Sequence, residues 1–328
     1  MKFREFITES KIDGFSLLER TYSKDDSGLS VGLGNIHAIV PGIEENKTKI
    51  ERACKIFKDK GCNMAVFPEF CLAGYFWEDQ EACWPYMEKA VIEEHKDWMK
   101  NNLETMLDDN FQFIIFNNIR KGKEKKYLNS TYVVNKKLDY FNPKWIYDKI
   151  MLPGIEKIYT ETGQDDRLII ESKWGTFGFT SCYDMCFSQL YQEMSLIDKV
   201  DAVIQIASWR GTAERDYPGM NVATDQYYGF LWDLLASSRS VTNQVWIIAC
   251  NAVGVHPISK AVFWGGSGVW APSGMKLIQG SNNNEELLII HNLGIKEQKE
   301  FEQDDFDYSI DFSNIYREIK GKRSFTRL

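Results

Sequence analysis

The sequence predicts an α/β fold with helices packed on the outside of sheets, and three observations carry that expectation. Strand-length apolar runs alternate with helical patterns along most of the chain. Of the 328 residues, 44% are hydrophobic and 14% aromatic, enough to bury one large core or two modest ones. No internal repeat or low-complexity linker interrupts the alternation.

Taken in order, Leu29 to Val40 reads as the first strand, and Glu44 to Lys60 then places Ile50, Ala53, Cys54 and Phe57 at helical spacing. Asn63 to Phe67 is a second short strand that stops at Pro68-Glu69, and Glu78 to Met106 follows as one or two amphipathic helices. Strand-length segments dominate from there: Phe111 to Asn117, Leu128 to Asn135, Trp145 to Tyr147, Leu168 to Glu171 and Gly175 to Ser181, separated by Asn, Gly and Pro. Phe187 to Ile197 and Gln226 to Val241 read as helices around the buried strand Ala202 to Ala207. Val245 to Asn251, Ser267 to Trp270 and Glu286 to Ile290 are the closing strands. Residues 1–28 are expected to be an N-terminal extension, 29–293 the folded domain, and 294–328 a C-terminal surface tail or subunit contact. That last segment is acidic from Glu297 to Asp311 and basic from Arg317 to Arg327.

Composition excludes several classes of function. A net charge of −8 and a pI near 5.3 argue against nucleic acid, whose binding depends on clustered Lys and Arg. Met1 to Arg20 mixes charges through its apolar residues, so no export signal is expected. The longest membrane candidate, Val245 to Val255, falls short of the roughly 18 apolar residues of a spanning helix. A soluble, cytoplasmic protein follows as the expectation. The seven cysteines show no CxxC spacing and the four histidines lie far from them in sequence, so neither a metal nor another cofactor is expected. Most of the thiols should be small core residues kept reduced.

Three residues stand out chemically. Cys182 follows the apolar strand Gly178-Phe179-Thr180-Ser181 and precedes a helical pattern, a turn that projects a thiol away from the sheet; the plainer reading is a buried structural cysteine. Glu69 is a carboxylate among apolar neighbours, Met64 to Phe67 before it and Phe70 to Leu72 after it. Burial of that kind raises a carboxyl pKa toward a range useful for proton transfer, unless a buried cation pairs with it. Lys149 lies in the apolar run from Trp145 to Pro153, where it could neutralise Glu69, point at a reacting oxygen, or simply sit on a strand edge.

Together these residues carry a resemblance. Pro68-Glu69 after a strand, Lys149 three residues before Leu152, and Cys182-Tyr183-Asp184 after Gly178 are similar in order and interval to the Glu, Lys and Cys motifs of the nitrilase superfamily, the carbon–nitrogen hydrolases. Asn129-Ser130, Glu156 with Tyr159 and Gly163, Asn251 with Gly254, and Gly266-Ser267 before Pro272 and Gly274 extend the similarity over residues 30 to 293.

The resemblance implies a four-layer α-β-β-α sandwich and a homodimer or larger homo-oligomer, paired through Phe187 to Ile197 and the C-terminal segment. It implies that Cys182 attacks a carbonyl or nitrile carbon and that Glu69 relays the proton from the thiol to the departing nitrogen. Lys149 and the backbone N–H of Tyr183 would hold the oxyanion. Glu156 would be the second glutamate that positions the lysine, with Glu161 as the competing candidate. The expected reaction is hydrolysis of a small carboxamide to acid and ammonia. Nitrile or N-carbamoyl hydrolysis, acyl transfer to an amine, and a catalytically silent interaction module are the alternatives; joint retention of Glu69, Lys149 and Cys182 argues against the last.

Departures from the family pattern bear on substrate. The position that holds arginine in many amidases and carbamoylases is Cys186 here, and Tyr183-Asp184 after the nucleophile favours amides over nitriles. Arg210, at the end of the strand that runs into Ala207-Ser208-Trp209, is expected to recognise a substrate carboxylate, unless it forms an inter-subunit ion pair. Trp209, Tyr75 and Asp184 complete the expected substrate-binding set.

Overall fold

The computed structural model describes residues 6–123, 125–163, 167–212, 215–217, 222–224, 227–312 and 314. The basic stretch Arg317 to Arg327 lies outside the described residues.

The chain opens with β1 (Thr8–Ile12), β2 (Phe15–Thr21) and β3 (Leu29–Asn35), then helix α1 (Ile43–Asp59) and β4 (Met64–Val66). Helix α2 (Gln80–Ala90) and the single turn α3 (Lys96–Trp98) lead to β5 (Phe113–Lys121), β6 (Tyr127–Val134) and β7 (Ile146–Asp148). The short helix α4 (Glu156–Tyr159) precedes β8 (Ile169–Glu171), β9 (Thr176–Ser181), α5 (Ser188–Leu196) and β10 (Ala202–Ala207). Strands β11 (Arg215–Tyr217) and β12 (Val222–Thr224) pair before helix α6 (Tyr227–Asn243) and β13 (Trp246–Asn251). A second hairpin, β14 (Val253–Val255) and β15 (Val262–Trp264), is followed by β16 (Gly268–Trp270), β17 (Lys276–Gln279) and β18 (Glu286–Leu293). Helices α7 (Ile295–Asp305) and α8 (Tyr308–Asp311) close the described chain.

Two sheets result, one of eight strands in the order β1-β2-β18-β3-β4-β5-β6-β7 and one of six in the order β17-β16-β13-β10-β9-β8. Their facing surfaces form one apolar layer, with Val31, Val66 and Ile115 in the same cluster as Phe179, Ile204 and Ile248. On the far side of the larger sheet, Ile50, Ala53, Cys54 and Phe57 of α1 pack on Ala65, Ile114 and Ile289. On the far side of the smaller sheet, Tyr191, Met194, Trp232 and Ala236 of α5 and α6 pack on Val203, Ile247 and Ala249. The layer order is therefore α-β-β-α, as the resemblance implies. Strand β10 shows why its sequence is apolar at all positions but Gln205, whose side chain accepts from Thr180 and Tyr191: Ile204 and Ile206 face the other sheet while Val203 and Ala207 face the helices.

The expected N-terminal extension contains two strands within its described residues. Strands β1 and β2 extend the larger sheet at its edge, with β2 parallel to β18. Strand β1 is almost wholly exposed, and its Thr-Glu-Ser-Lys-Ile sequence has the charged character of a protected sheet edge. The turn joining the two strands is Asp13-Gly14, both at positive φ, which is the hairpin chemistry that marks this connection. The C-terminal segment is also more than a tail at its start: Ile295 is buried, and its carbonyl accepts a bond from Trp246 Nε1 at 3.0 Å.

Strands β9, β10 and β13 run parallel, and their carboxyl ends lie level, with Ile206 opposite Ser181 and Ala207 opposite Asn251. In sheets of this kind, ligands bind beyond the carboxyl ends of the strands. Beyond the end of β4, Phe67 N donates to Ile115 O at 2.9 Å and Glu69 N to Ala207 O at 3.3 Å. The second bond ties one sheet to the other at the same place.

Close packing of α1 on β3 depends on Gly32, because a methyl group there would lie 2.3 Å from the buried Phe57 ring. Gly32→Ala is expected to destabilise the fold by about 1–3 kcal/mol, the usual cost of overpacking. Denaturant unfolding checks this, and an unchanged midpoint would show that the ring can move aside.

Candidate active site

Cys182 occupies the first position after β9 with a φ of 47°, a left-handed conformation that few side chains adopt without support from their surroundings. That support is a reciprocal cap. Asp184 accepts from Ser181 N at 2.8 Å while the Ser181 side chain accepts from the Asp184 backbone. The other bonds of Asp184 are also internal: Tyr147 Oη donates to it at 2.6 Å and Met151 N at 2.9 Å. Fully buried and engaged on both oxygens, Asp184 does not line the cavity, so its expected contact with substrate is corrected. It shapes the turn that presents the thiol.

Glu69, Lys149 and Glu156 form one buried cluster beside that turn. Lys149 Nζ donates to Glu69 Oε1 and to Glu156 Oε1, each at 2.8 Å, and all three side chains are closed to solvent. Glu69 Oε1 also accepts from Asn129 Nδ2 at 2.7 Å and Ser181 Oγ at 3.1 Å, whereas Oε2 accepts from Ser208 N at 2.8 Å. Glu156 is held further by Tyr75 Oη at 2.8 Å and Asn129 Nδ2 at 3.1 Å. Glu161 has another role, accepting from Lys123 N at 2.8 Å in an exposed bend, so geometry selects Glu156 as the second glutamate of the cluster.

The electrostatics follow from this arrangement. Burial alone would favour neutral Lys149, but Glu156 and Glu69 outweigh it and hold the ammonium well above its ordinary pKa. Burial, with Glu69 adding to it and Lys149 opposing, pushes Glu156 up. Burial also raises the Cys182 thiol well above its usual range; the Glu69 charge and a hydrogen bond to Glu69 add to this, while Lys149 opposes it. These influences favour a protonated thiol at Cys182 and a charged ammonium at Lys149.

Cys182 opens into a cavity of about 810 Å³ lined also by Tyr75, Tyr183, Trp209 and Arg210. Asn251 fixes the floor here, accepting from Trp209 N at 2.7 Å and donating to Gly265 O at 2.8 Å. Tyr75 is set from behind: its carbonyl meets His256 Nε2 at 3.0 Å while Ser259 N donates to Nδ1, which places the ring proton on Nε2. Sequence reasoning gave no role to Asn129, Ser208 or Glu78. Asn129, a buried amide at the head of the polar run Asn129-Ser130-Thr131 within the buried strand β6, carries a legible signal; the backbone N–H of Ser208 carries none. Among the described residues no group of three or more His, Cys, Asp or Glu is placed to hold a metal ion, and no helix is long and apolar enough to cross a membrane.

This fold and this cluster define a class. The family profile described as Carbon-nitrogen hydrolase matches residues 32–296, and the chain belongs to that family. It is 27% identical over 172 residues to the Saccharomyces cerevisiae omega-amidase NIT3, an alignment covering 51% of this chain and 53% of that one. The matched stretch therefore spans about half of that relative. In fold it is similar to a cysteine-to-alanine mutant of the Nesterenkonia AN1 amidase from the nitrilase superfamily, with a TM-score of 0.66 at 16% identity over 87% of this chain and 100% of that one. A further structure of the same amidase carries the acetamide moiety of fluoroacetamide at its active-site cysteine, and matches with a TM-score of 0.65 at 16% identity over 86% and 98% of the two chains.

The opposing influences on the thiol yield a prediction. In Glu69→Gln the charge that holds the proton on sulfur is gone while Lys149 remains, so the Cys182 pKa falls. The variant should be alkylated at Cys182 faster than the wild type near neutral pH, read by mass spectrometry. Slower alkylation would mean that Glu69 does not set the thiol's protonation.

Proposed function

We propose that this protein hydrolyses a small-molecule carboxamide to the acid and ammonia through a thioester on Cys182. The observation that carries the reading is the shared bonding of Glu69, which accepts from Lys149 on one oxygen and sits against the Cys182 thiol at the cavity wall.

Three donors occupy Glu69 Oε1 and one occupies Oε2, so Oε2 has the spare acceptor capacity to take the thiol proton. Transfer accompanies attack of sulfur on the amide carbon, because the free thiolate is disfavoured until substrate arrives. As the carbonyl oxygen gains charge, the Lys149 ammonium and the Tyr183 backbone N–H stabilise it; loss of one such donor typically costs about 2.7–4 kcal/mol. Glu69 then returns the proton to the departing nitrogen, ammonia leaves, and Glu69 activates the water that cleaves the thioester. Glu156 keeps Lys149 charged and oriented, and Tyr75 and Asn129 orient Glu156. Arg210 at the cavity wall reads a substrate carboxylate, with Trp209 and Tyr75 as apolar walls.

The same reading includes a cytoplasmic homo-oligomer. All seven cysteines are unpaired, as suits a reducing compartment. The exposed Phe301, Phe306 and Ile310 of the C-terminal segment offer an apolar surface for a second subunit.

Cys182→Ala should lose ammonia release from carboxamides by at least about 10³-fold, the scale set by removing a covalent nucleophile. Its circular dichroism should be unchanged, and a wild-type mass increase equal to the acyl group should localise to Cys182. Normal turnover in the variant would refute the mechanism.

A further inference from the structure

Among the described residues, two charged side chains line the cavity, and they have opposite sign. Glu78 and Arg210 both open onto it, both are exposed, and no ion pair joins them. Every other described lining residue is uncharged at neutral pH.

Neither charge rides on a loose segment. Glu78 lies between Trp77, whose carbonyl accepts from Tyr159 Oη at 2.5 Å, and Asp79, whose carboxylate caps α2 by accepting from Ala82 N at 3.2 Å. Arg210 follows Trp209, which Asn251 anchors, and pairs through its backbone with Phe263. Both Cα atoms are therefore fixed relative to Cys182, leaving only side-chain torsions to be ordered when a ligand binds. The cavity is also far larger than a two-carbon amide needs and falls in the size range that encloses a molecule with a substantial body.

Resting on the amide-hydrolase reading, we infer that the substrate is a carboxamide whose body carries both an ammonium and a carboxylate, the ammonium read by Glu78 and the carboxylate by Arg210. The sign pattern sets the preference by repulsion as much as by attraction. A substrate with a carboxylate alone gains Arg210 but meets the Glu78 charge in the same cavity. One with an ammonium alone gains Glu78 and meets Arg210. A doubly charged amide gains both and opposes neither. Arg210 presents a planar fork to a carboxylate, whereas Glu78 offers two acceptor oxygens and no donor, so the two ends of such a substrate cannot exchange places.

The experiment uses four primary amides of equal length bearing an ammonium, a carboxylate, both or neither, with ammonia release as readout. Wild-type kcat/KM should be highest for the doubly charged amide. Relative to the neutral amide in the same variant, Glu78→Gln should lower kcat/KM at least about tenfold for the two ammonium-bearing amides and raise it for the one that bears only a carboxylate. Arg210→Gln should do the converse. Equal effects of Glu78→Gln on all four, or none, would overturn the assignment. Titrating the same amides into Cys182→Ala by calorimetry separates the two proposals. The charge order kept in binding without wild-type turnover refutes only the hydrolysis, and its absence from binding refutes the charge reading.

Discussion

The ammonium of Lys149, buried between two carboxylates, is the constraint around which the rest of the structure is arranged. A charge so placed is costly to desolvate, and stranding it by removing one partner typically costs about 3–5 kcal/mol. Three ionisable side chains closed to solvent can persist only if their hydrogen-bonding capacity is met within the protein. That requirement explains the surrounding polar residues: Asn129 donates to both glutamates, Tyr75 to Glu156, and Ser181 and the Ser208 backbone to Glu69. Such groups would weaken an apolar core at these positions. Here each one completes the hydrogen bonding of the buried cluster.

The contributors come from distant parts of the sequence. Glu69 follows β4 of the larger sheet, Lys149 follows β7, Cys182 follows β9 of the smaller sheet, and Ser208 follows β10. What unites them is strand register. Parallel strands whose carboxyl ends lie level bring their following residues to one edge, and apolar packing between the sheets brings that edge beside the end of β4.

Much of this is visible in the amino-acid sequence, for physical reasons that differ from place to place. Strand β10 is legible because it is buried on both faces and therefore apolar at every position but Gln205. Glu69 and Lys149 stand out because charges in apolar runs need partners, and Cys182 because it lies at a strand-to-turn junction. Strand β1 is harder to read, since an exposed edge has no apolar period and only Asp13-Gly14 betrays the hairpin. Asp184 is misleading for another reason: a capping carboxylate next to a nucleophile has the same sequence position as one that contacts substrate, and only its bonds to Ser181, Met151 and Tyr147 distinguish them. The choice of Glu156 over Glu161 is likewise a matter of which one the backbone turns toward the lysine.

Glu69 also joins the two halves of the sandwich. Its N–H reaches Ala207 in the opposite sheet, its carboxylate takes the Ser208 N–H, and its carbonyl accepts the Ser208 hydroxyl at 2.7 Å. Glu69 is therefore a rivet between the two sheets. A partly opened molecule, with each sheet still formed but the layers separated, would part Glu69 and Lys149, both carried by the larger sheet, from Cys182 of the smaller one. Catalysis in such a protein is a property of the assembled layers, and thermal inactivation should coincide with their parting.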